Sequence, residues 1–266
     1  MSSFLHCIQG FSAEQYDRSC YYLIVRHSCP PTMRQKTGNL KREAKWVEGH
    51  STKGRQTRSE ILRVAAQIAS SEGLEGVSLG RLADEVGMSK SGLFAHFRSK
   101  EELQVAVVET ARSMFIEEVI RPANAVPSGL RRLRKLAEAW LSYAEREVFR
   151  GGCFFVAASL EFDSRPGVVR DRITKIMGEW LQLLEDEVRK AKAGNELTAN
   201  ADPVQLAFEI NSQMMGANWA YQLLGNRKAF ARAKRAIMER LSSFGTYITQ
   251  NPGLSASVTA HRAASQ

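Results

Sequence analysis

Lys90, Arg98 and Lys100 lie between residues 88 and 100 with no acid among them, and Ser78, Ser89, Ser91 and His96 add hydroxyl and imidazole groups to the same short stretch. Cations with no acid between them, beside short hydrogen-bonding side chains, suit one task above others. They hold phosphate oxygens and read the base edges between them. The nearest acids, Asp84, Glu85, Glu101 and Glu102, read as a solvated face and helix caps, not as metal ligands.

Short helices are needed to hold those groups. Ser78 is placed to N-cap one helix, with Val77 and Leu82 as a hydrophobic staple, and Gly87 supplies the left-handed residue that ends it. Ser89 caps a second helix, with Met88 and Leu93 at the staple positions, and Ser99 with Glu102 forms a capping box at the start of a third. Leu82, Ala83, Val86, Leu93, Phe94 and Phe97 point inward as a small core. Two short helices joined by a tight turn are a device for laying one helix in a DNA groove. Any helical hairpin would show the same caps; the acid-free run of cations favours the groove. Upstream, residues 55 to 74 form an amphipathic helix in which Thr57 and Glu60 suit another capping box.

From the helix end SSEGLEGVS, through Leu82-Ala-Asp-Glu-Val-Gly-Met-Ser and Gly92-Leu-Phe-Ala-His-Phe97, to Lys100-Glu-Glu-Leu103, the chain resembles the TetR family of bacterial transcription regulators. The resemblance implies that Ser89, Lys90, Ser91, Gly92 and Leu93 belong to the recognition helix in the major groove. It implies phosphate contacts from Ser78, His96 and Lys100, and from Arg55 and Thr57 at the start of the first helix. Phe94 departs from the family pattern, standing where many members carry a tyrosine whose hydroxyl touches the DNA backbone. Leu93 and Phe97 read as core in preference to contact.

With 266 residues the chain can hold one large or two modest domains. The formal charge of +9 favours a polyanionic partner, but it is not concentrated in the DNA-reading part: 15 basic and 11 acidic residues precede residue 104, and 22 and 17 follow. Local clustering therefore carries the DNA argument. No apolar run reaches bilayer length and residues 1 to 30 lack a secretory pattern, so a cytoplasmic, nucleoid-associated protein without membrane contact is expected. Cys7, Cys20 and Cys29 lie near His6 and His27 without zinc-finger spacing, and Cys153 stands alone in GGCFFVAAS. Reduced thiols, no metal and no cofactor are expected. Only His96 of the five histidines lies in the folded body, and no hydrolase elbow, P-loop or dinucleotide fingerprint is present, which argues against an enzyme. Glu161 and Asp163 could act as a carboxylate pair, although Asp163 reads more simply as a helix cap.

Four segments follow: a poorly ordered extension (1–50), a three-helix DNA-binding domain (51–103), a helical effector-binding and dimerisation domain (104–249) and a loose tail (250–266). The fold class is all-α. The fourth helix leaves at Pro122 and Pro127, and further helices span about 128 to 149, 203 to 225 and 228 to 247, with a short buried one near 152 to 160. Asp163 is expected to open the long helix after it, and Asp202-Pro203 is a strong helix start. Phe208, Tyr221, Leu224, Phe230, Ile237, Leu241 and Phe244 mark a dimer interface, since one recognition helix reads only a few base pairs. Trp140, Phe154, Phe155, Met177, Trp180, Met214, Asn218 and Trp219 are candidates to line a pocket for a small hydrophobic effector of unknown identity. The expected function is a homodimeric repressor on a palindromic operator of double-stranded DNA, released by that effector. An activator, or a DNA-organising protein without an effector, is the alternative.

Overall fold

A computed structural model describes residues 52–246. The extension and tail expected at 1–50 and 250–266, with Cys7, Cys20 and Cys29, lie outside the described residues. The described chain is helical, with one isolated bridge between Leu197 and Gly245 and no strand.

Helix α1 (Thr52–Glu72) is already helical at Thr52, so Thr57 is an interior residue and not the cap expected of it. Its stripe of Ile61, Leu62, Ala65, Ile68 and Ala69 is buried. Helix α2 (Leu79–Val86) starts where Ser78 Oγ accepts from Arg81 N at 3.1 Å, and ends at Gly87 with φ 66°. Helix α3 (Lys90–Phe94) starts where Ser89 Oγ accepts from Gly92 N at 3.1 Å. Each such cap is worth about 1 kcal/mol. Helix α4 (Lys100–Phe115) begins at Ser99, whose Oγ accepts from Glu102 N at 3.0 Å. The returning arm of that capping box differs from expectation, because Glu102 accepts from Arg98 N instead of from Ser99.

Pro122 does not end the helical run as expected, whereas Pro127 does lie in the turn after it. The chain passes through a π-helical turn (Ile116–Ile120) into α5 (Arg121–Asn124), with Arg121 N donating to Ile116 O. The wider turn absorbs a proline that has no N–H to give. Helix α6 (Leu130–Glu145) follows Gly129, whose φ of 95° favours glycine. Two distant carboxylates cap it: Glu187 accepts from Gly129 N at 2.7 Å and Glu196 from Leu130 N at 2.9 Å. Glu187 is fully buried, and Lys190 Nζ at 2.7 Å compensates its charge.

The body is completed by α7 (Phe154–Phe162), α8 (Val168–Ala193), α9 (Pro203–Leu224) and α10 (Ala229–Ser243). Asp202 caps α9 as expected, accepting from Val204 N at 2.9 Å. Asp163 does not cap α8; it closes α7, and its carbonyl accepts from Arg170 Nε. Helix α9 packs on α10 and α8, and α8 packs on α4, α6 and α7. At the centre, the Phe115 ring meets Tyr143, Phe155 and Trp180 edge to face at centroid distances of 5.7, 6.0 and 5.3 Å. Such pairs add about 0.5–1.5 kcal/mol each beyond burial.

Candidate functional site

The expected DNA-reading face is built on buried Leu82, Leu93 and Phe97. Leu93 is fully buried, in keeping with its reading as core: it pegs α3 to the core and, alone among the residues assigned to the recognition helix, has no surface to offer DNA. Phe94 reverses the other way. Expected partly as core, it is 55% exposed, a large apolar ring on the outer side of α3. Lys90 and Ser91 are exposed beside it, while Gly92 is half-buried and a Cβ there would crowd the Ser89 hydroxyl at 3.2 Å. Ser78 and Lys90 converge, since a Cβ built on Gly80 would lie 3.4 Å from Lys90 Cε and 3.9 Å from Ser78 Oγ. Both cap hydroxyls accept from backbone, and the Ser89 hydroxyl also shares a bond of 3.1 Å with the Ser91 hydroxyl.

His96 is half-buried, with its ring 6.4 Å from that of Phe97. Arg55 is exposed on α1, and Thr57 is half-buried. Arg58, which the sequence reading passed over, lays its guanidinium 4.8 Å over the Phe97 ring. Lys100 is exposed but paired with Glu75, which also accepts from Gln104 Nε2 at 3.0 Å. The bonds from Lys100 and then Gln104 hold the Glu75 carboxyl below its ordinary range.

Besides the run of α4, the head is fastened to the body at two places. Glu161 of α7 accepts from the backbone of Leu74 at 2.7 Å and of Glu75 at 2.8 Å. It is therefore a clamp on the turn after α1, not half of a carboxylate pair with exposed Asp163. The second fastening is the turn between α6 and α7. There Gln67 Nε2 donates to Val148 O at 2.7 Å, Arg150 N to Gln67 Oε1 at 3.1 Å and Gly151 N to Ser70 Oγ at 3.2 Å.

A cavity of about 20 Å³, room for about one water, lies in the body among Phe115, Trp140, Phe155, Ile176, Met177 and Trp180. Cys153, Val156, Asn211 and Met215 complete its lining, so no charged side chain faces it. Four of the eight expected lining residues are there: Trp140, Phe155, Met177 and Trp180. Phe154 and Met214 are buried outside it, Asn218 is buried behind it with its Oδ1 accepting from the N–H of the lining residue Cys153, and Trp219 is 54% exposed. Asn211, the polar group at the cavity, accepts from Trp180 Nε1 at 3.1 Å and turns its amide nitrogen toward the Met215 sulfur. Burial pushes the Cys153 thiol up to about 11, so it stays protonated near neutral pH.

The expected dimer residues also divide. Phe208 and Leu224 are exposed, Tyr221 and Phe244 are half-buried, but Phe230, Ile237 and Leu241 are packed in the monomer's own core and have no surface to offer a partner. An exposed apolar stripe does run along α9, made of Val204, Phe208, Trp219 and Leu223, with half-buried Met215 on the same side. Among the described residues no cluster of His, Cys, Asp and Glu could hold a metal ion, and no helix is long and apolar enough to cross a membrane.

Comparison with known proteins places this geometry. Residues 61–107 match the family described as bacterial regulatory proteins, tetR family, and residues 129–237 match the tetracyclin repressor-like C-terminal domain. The nucleoid occlusion factor SlmA of Sodalis glossinidius is 33% identical over 194 residues, spanning 71% of this chain and 89% of that protein. A TetR transcriptional regulator from Chloroflexus aurantiacus has the same fold, with a TM-score of 0.69 at 24% identity over 73% of this chain and 98% of the other. So does AibR in complex with isovaleryl coenzyme A and operator DNA, with a TM-score of 0.56 at 22% identity over 68% of this chain and 95% of that one.

Proposed function

The chain belongs to the TetR family of bacterial regulatory proteins, and we propose that it is a homodimeric repressor that binds a palindromic operator in the cytoplasm and is released by a small hydrophobic effector. One observation carries the reading. Lys90, Ser91 and Phe94 stand exposed on a short helix that buried Leu93 pins to the core, beside the Ser78 hydroxyl. That arrangement presents cations, hydroxyls and one apolar ring together to a groove. Two copies joined along the α9 stripe would read two half-sites about 34–36 Å apart, one helical turn.

The cavity supports the effector half of the proposal. Its walls are apolar and aromatic, so the effector is an uncharged molecule, and the Asn211 amide offers a donor to a carbonyl or ether oxygen on it. Nothing in the lining would neutralise a carboxylate or phosphate. An effector larger than one water must part the side chains, with Met177 and Met215 the adaptable ones. The role is one of binding, without turnover.

A second reading has its own support, because curated relatives such as the Sodalis glossinidius protein are named nucleoid occlusion factors. On that reading the same head organises DNA at scattered sites, with no effector. Footprinting across the chromosome separates the two. Protection of one or two palindromes over promoters supports the repressor, and many dispersed sites away from promoters sink it. Sites placed upstream of a promoter whose output rises with the protein would make it an activator.

A further inference from the structure

The turn between α6 and α7 is packed on two sides with no slack. A Cβ on Gly151 would stand 1.7 Å from the Ser70 carbonyl oxygen in α1. One on Gly152, whose φ is 79°, would stand 2.3 Å from Asn218 Oδ1 and 2.8 Å from Gln222 Nε2, both on α9. Adjacent glycines thus touch the DNA-binding head on one side and α9 on the other. Polar bonds lock each contact: Gly151 N to Ser70 Oγ and Arg150 N to Gln67 Oε1 on the head side, and Cys153 N to Asn218 Oδ1 at 2.9 Å on the α9 side. Beneath the turn the packing is open, with a cleft of about 120 Å³ among Val64, Gln67, Ile68, Glu85 and Arg150.

We propose that this turn is the joint that sets the angle of the DNA-binding head, and that Asn218 is a positioning residue that fixes the joint to α9. The inference rests on reading the chain as a dimeric operator-binding protein. On that reading α9 carries the surface shared with the second copy, so it is the element whose place relative to the partner is fixed. Whatever ties a head to α9 therefore sets the separation of the two recognition helices. The Glu161 clamp and the run of α4 also hold the head, but neither touches α9 through a direct polar bond. Cys153, held by Asn218, is also a wall of the effector cavity, so the joint and the cavity share a residue.

The test uses the full chain and an operator selected from random duplexes, then duplexes whose half-sites are moved apart or together by one base pair. For the unmodified protein a one-base-pair change should cost about tenfold in affinity, because a rigid pair of heads cannot engage both half-sites. In Asn218→Ala, and in the double variant Gln67→Ala with Ser70→Ala, that cost should fall below about threefold while binding to a single half-site is unchanged. A protein merely destabilised by these changes would lose affinity for every duplex alike. Should Asn218→Ala not fold, the head-side double variant, which leaves α9 intact, decides the matter alone. Variants that fold and keep the full spacing cost overturn the joint. An unmodified protein that selects no paired half-sites overturns the dimeric reading and the joint with it.

Discussion

Lys100 of α4 and Glu75 of the turn after α1 form an ion pair on the surface of the head, and the Glu75 backbone N–H is in turn held by Glu161 of the body. The lysine expected to hold a phosphate is thus already partnered in the free protein. Both side chains are over 40% exposed, so the pair is of the kind worth about 0–1 kcal/mol, and a phosphate can compete for the ammonium. Lys100→Ala should weaken binding to every DNA sequence and lower the salt slope by about one. Glu75→Gln should do the opposite, raising affinity for all sequences severalfold by freeing the ammonium. A salt titration of both variants checks this. Equal salt slopes for Lys100→Ala and the unmodified protein would remove Lys100 from the phosphate contacts.

Substitutions at Lys90 or Ser91 should change which operator is preferred, whereas Leu93→Ala should cost about 2–5 kcal/mol of stability without changing preference. Operator selection and thermal unfolding, run side by side, separate the two outcomes. The division between neighbours was only half legible in the sequence. Serine caps, the Gly87 stop and the lysines announce themselves because their chemistry is local. Phe94 does not: Leu93 was legible as core, but α3 is a single turn, and one turn has no periodicity to say that the apolar residue next to it faces out.

Glu161 was harder still to read, since its partners lie 86 and 87 residues away and no local pattern marks a carboxylate that caps someone else's backbone. The same holds for Glu187 and Glu196 at the start of α6. Glu161→Ala leaves two amides without that acceptor, one of them on buried Leu74, and should cost about 1–3 kcal/mol. Hydrogen exchange should accelerate first at residues 73–76. If protection there is unchanged while the protein loses stability elsewhere, the clamp is not what holds the turn.

Arg240 grips Glu209 with two bonds, Nε to Oε2 at 2.6 Å and Nη2 to Oε1 at 3.0 Å, joining α10 to α9. The Arg240 bond lowers the Glu209 carboxyl below its ordinary range, against a smaller opposing effect of burial. Because the folded-state value is the lower one, the pair's contribution is complete above the ordinary carboxylate value of about 4.3 and fades as pH falls through the depressed value. Unfolding midpoints of the unmodified protein and Arg240→Ala should differ by a constant amount from pH 8 to pH 6. They should converge only in acid. Convergence near neutral pH would assign the effect to another group.

The α9 stripe separates surface from core on one helix pair, and this the sequence could not do. Helix α9 is apolar on two faces, so its pattern has no clear phase, and only packing against α8 and α10 shows which side is spent inside the monomer. Phe208 is 64% exposed, Trp219 54% and Leu223 66%, large apolar side chains along one side of a single helix. Ile237, expected beside them, is 1% exposed. The two classes therefore predict different failures. Phe208→Asp with Trp219→Asp should yield a folded monomer, with the unfolding temperature no longer dependent on protein concentration and operator affinity reduced to that of one half-site. Ile237→Ala should instead lower stability by about 2–5 kcal/mol and leave the protein associating as before wherever it remains folded. Sedimentation equilibrium decides between them. A double-Asp variant that still sediments as a dimer would move the interface away from α9, and with it the element on which the spacing of the two recognition helices depends.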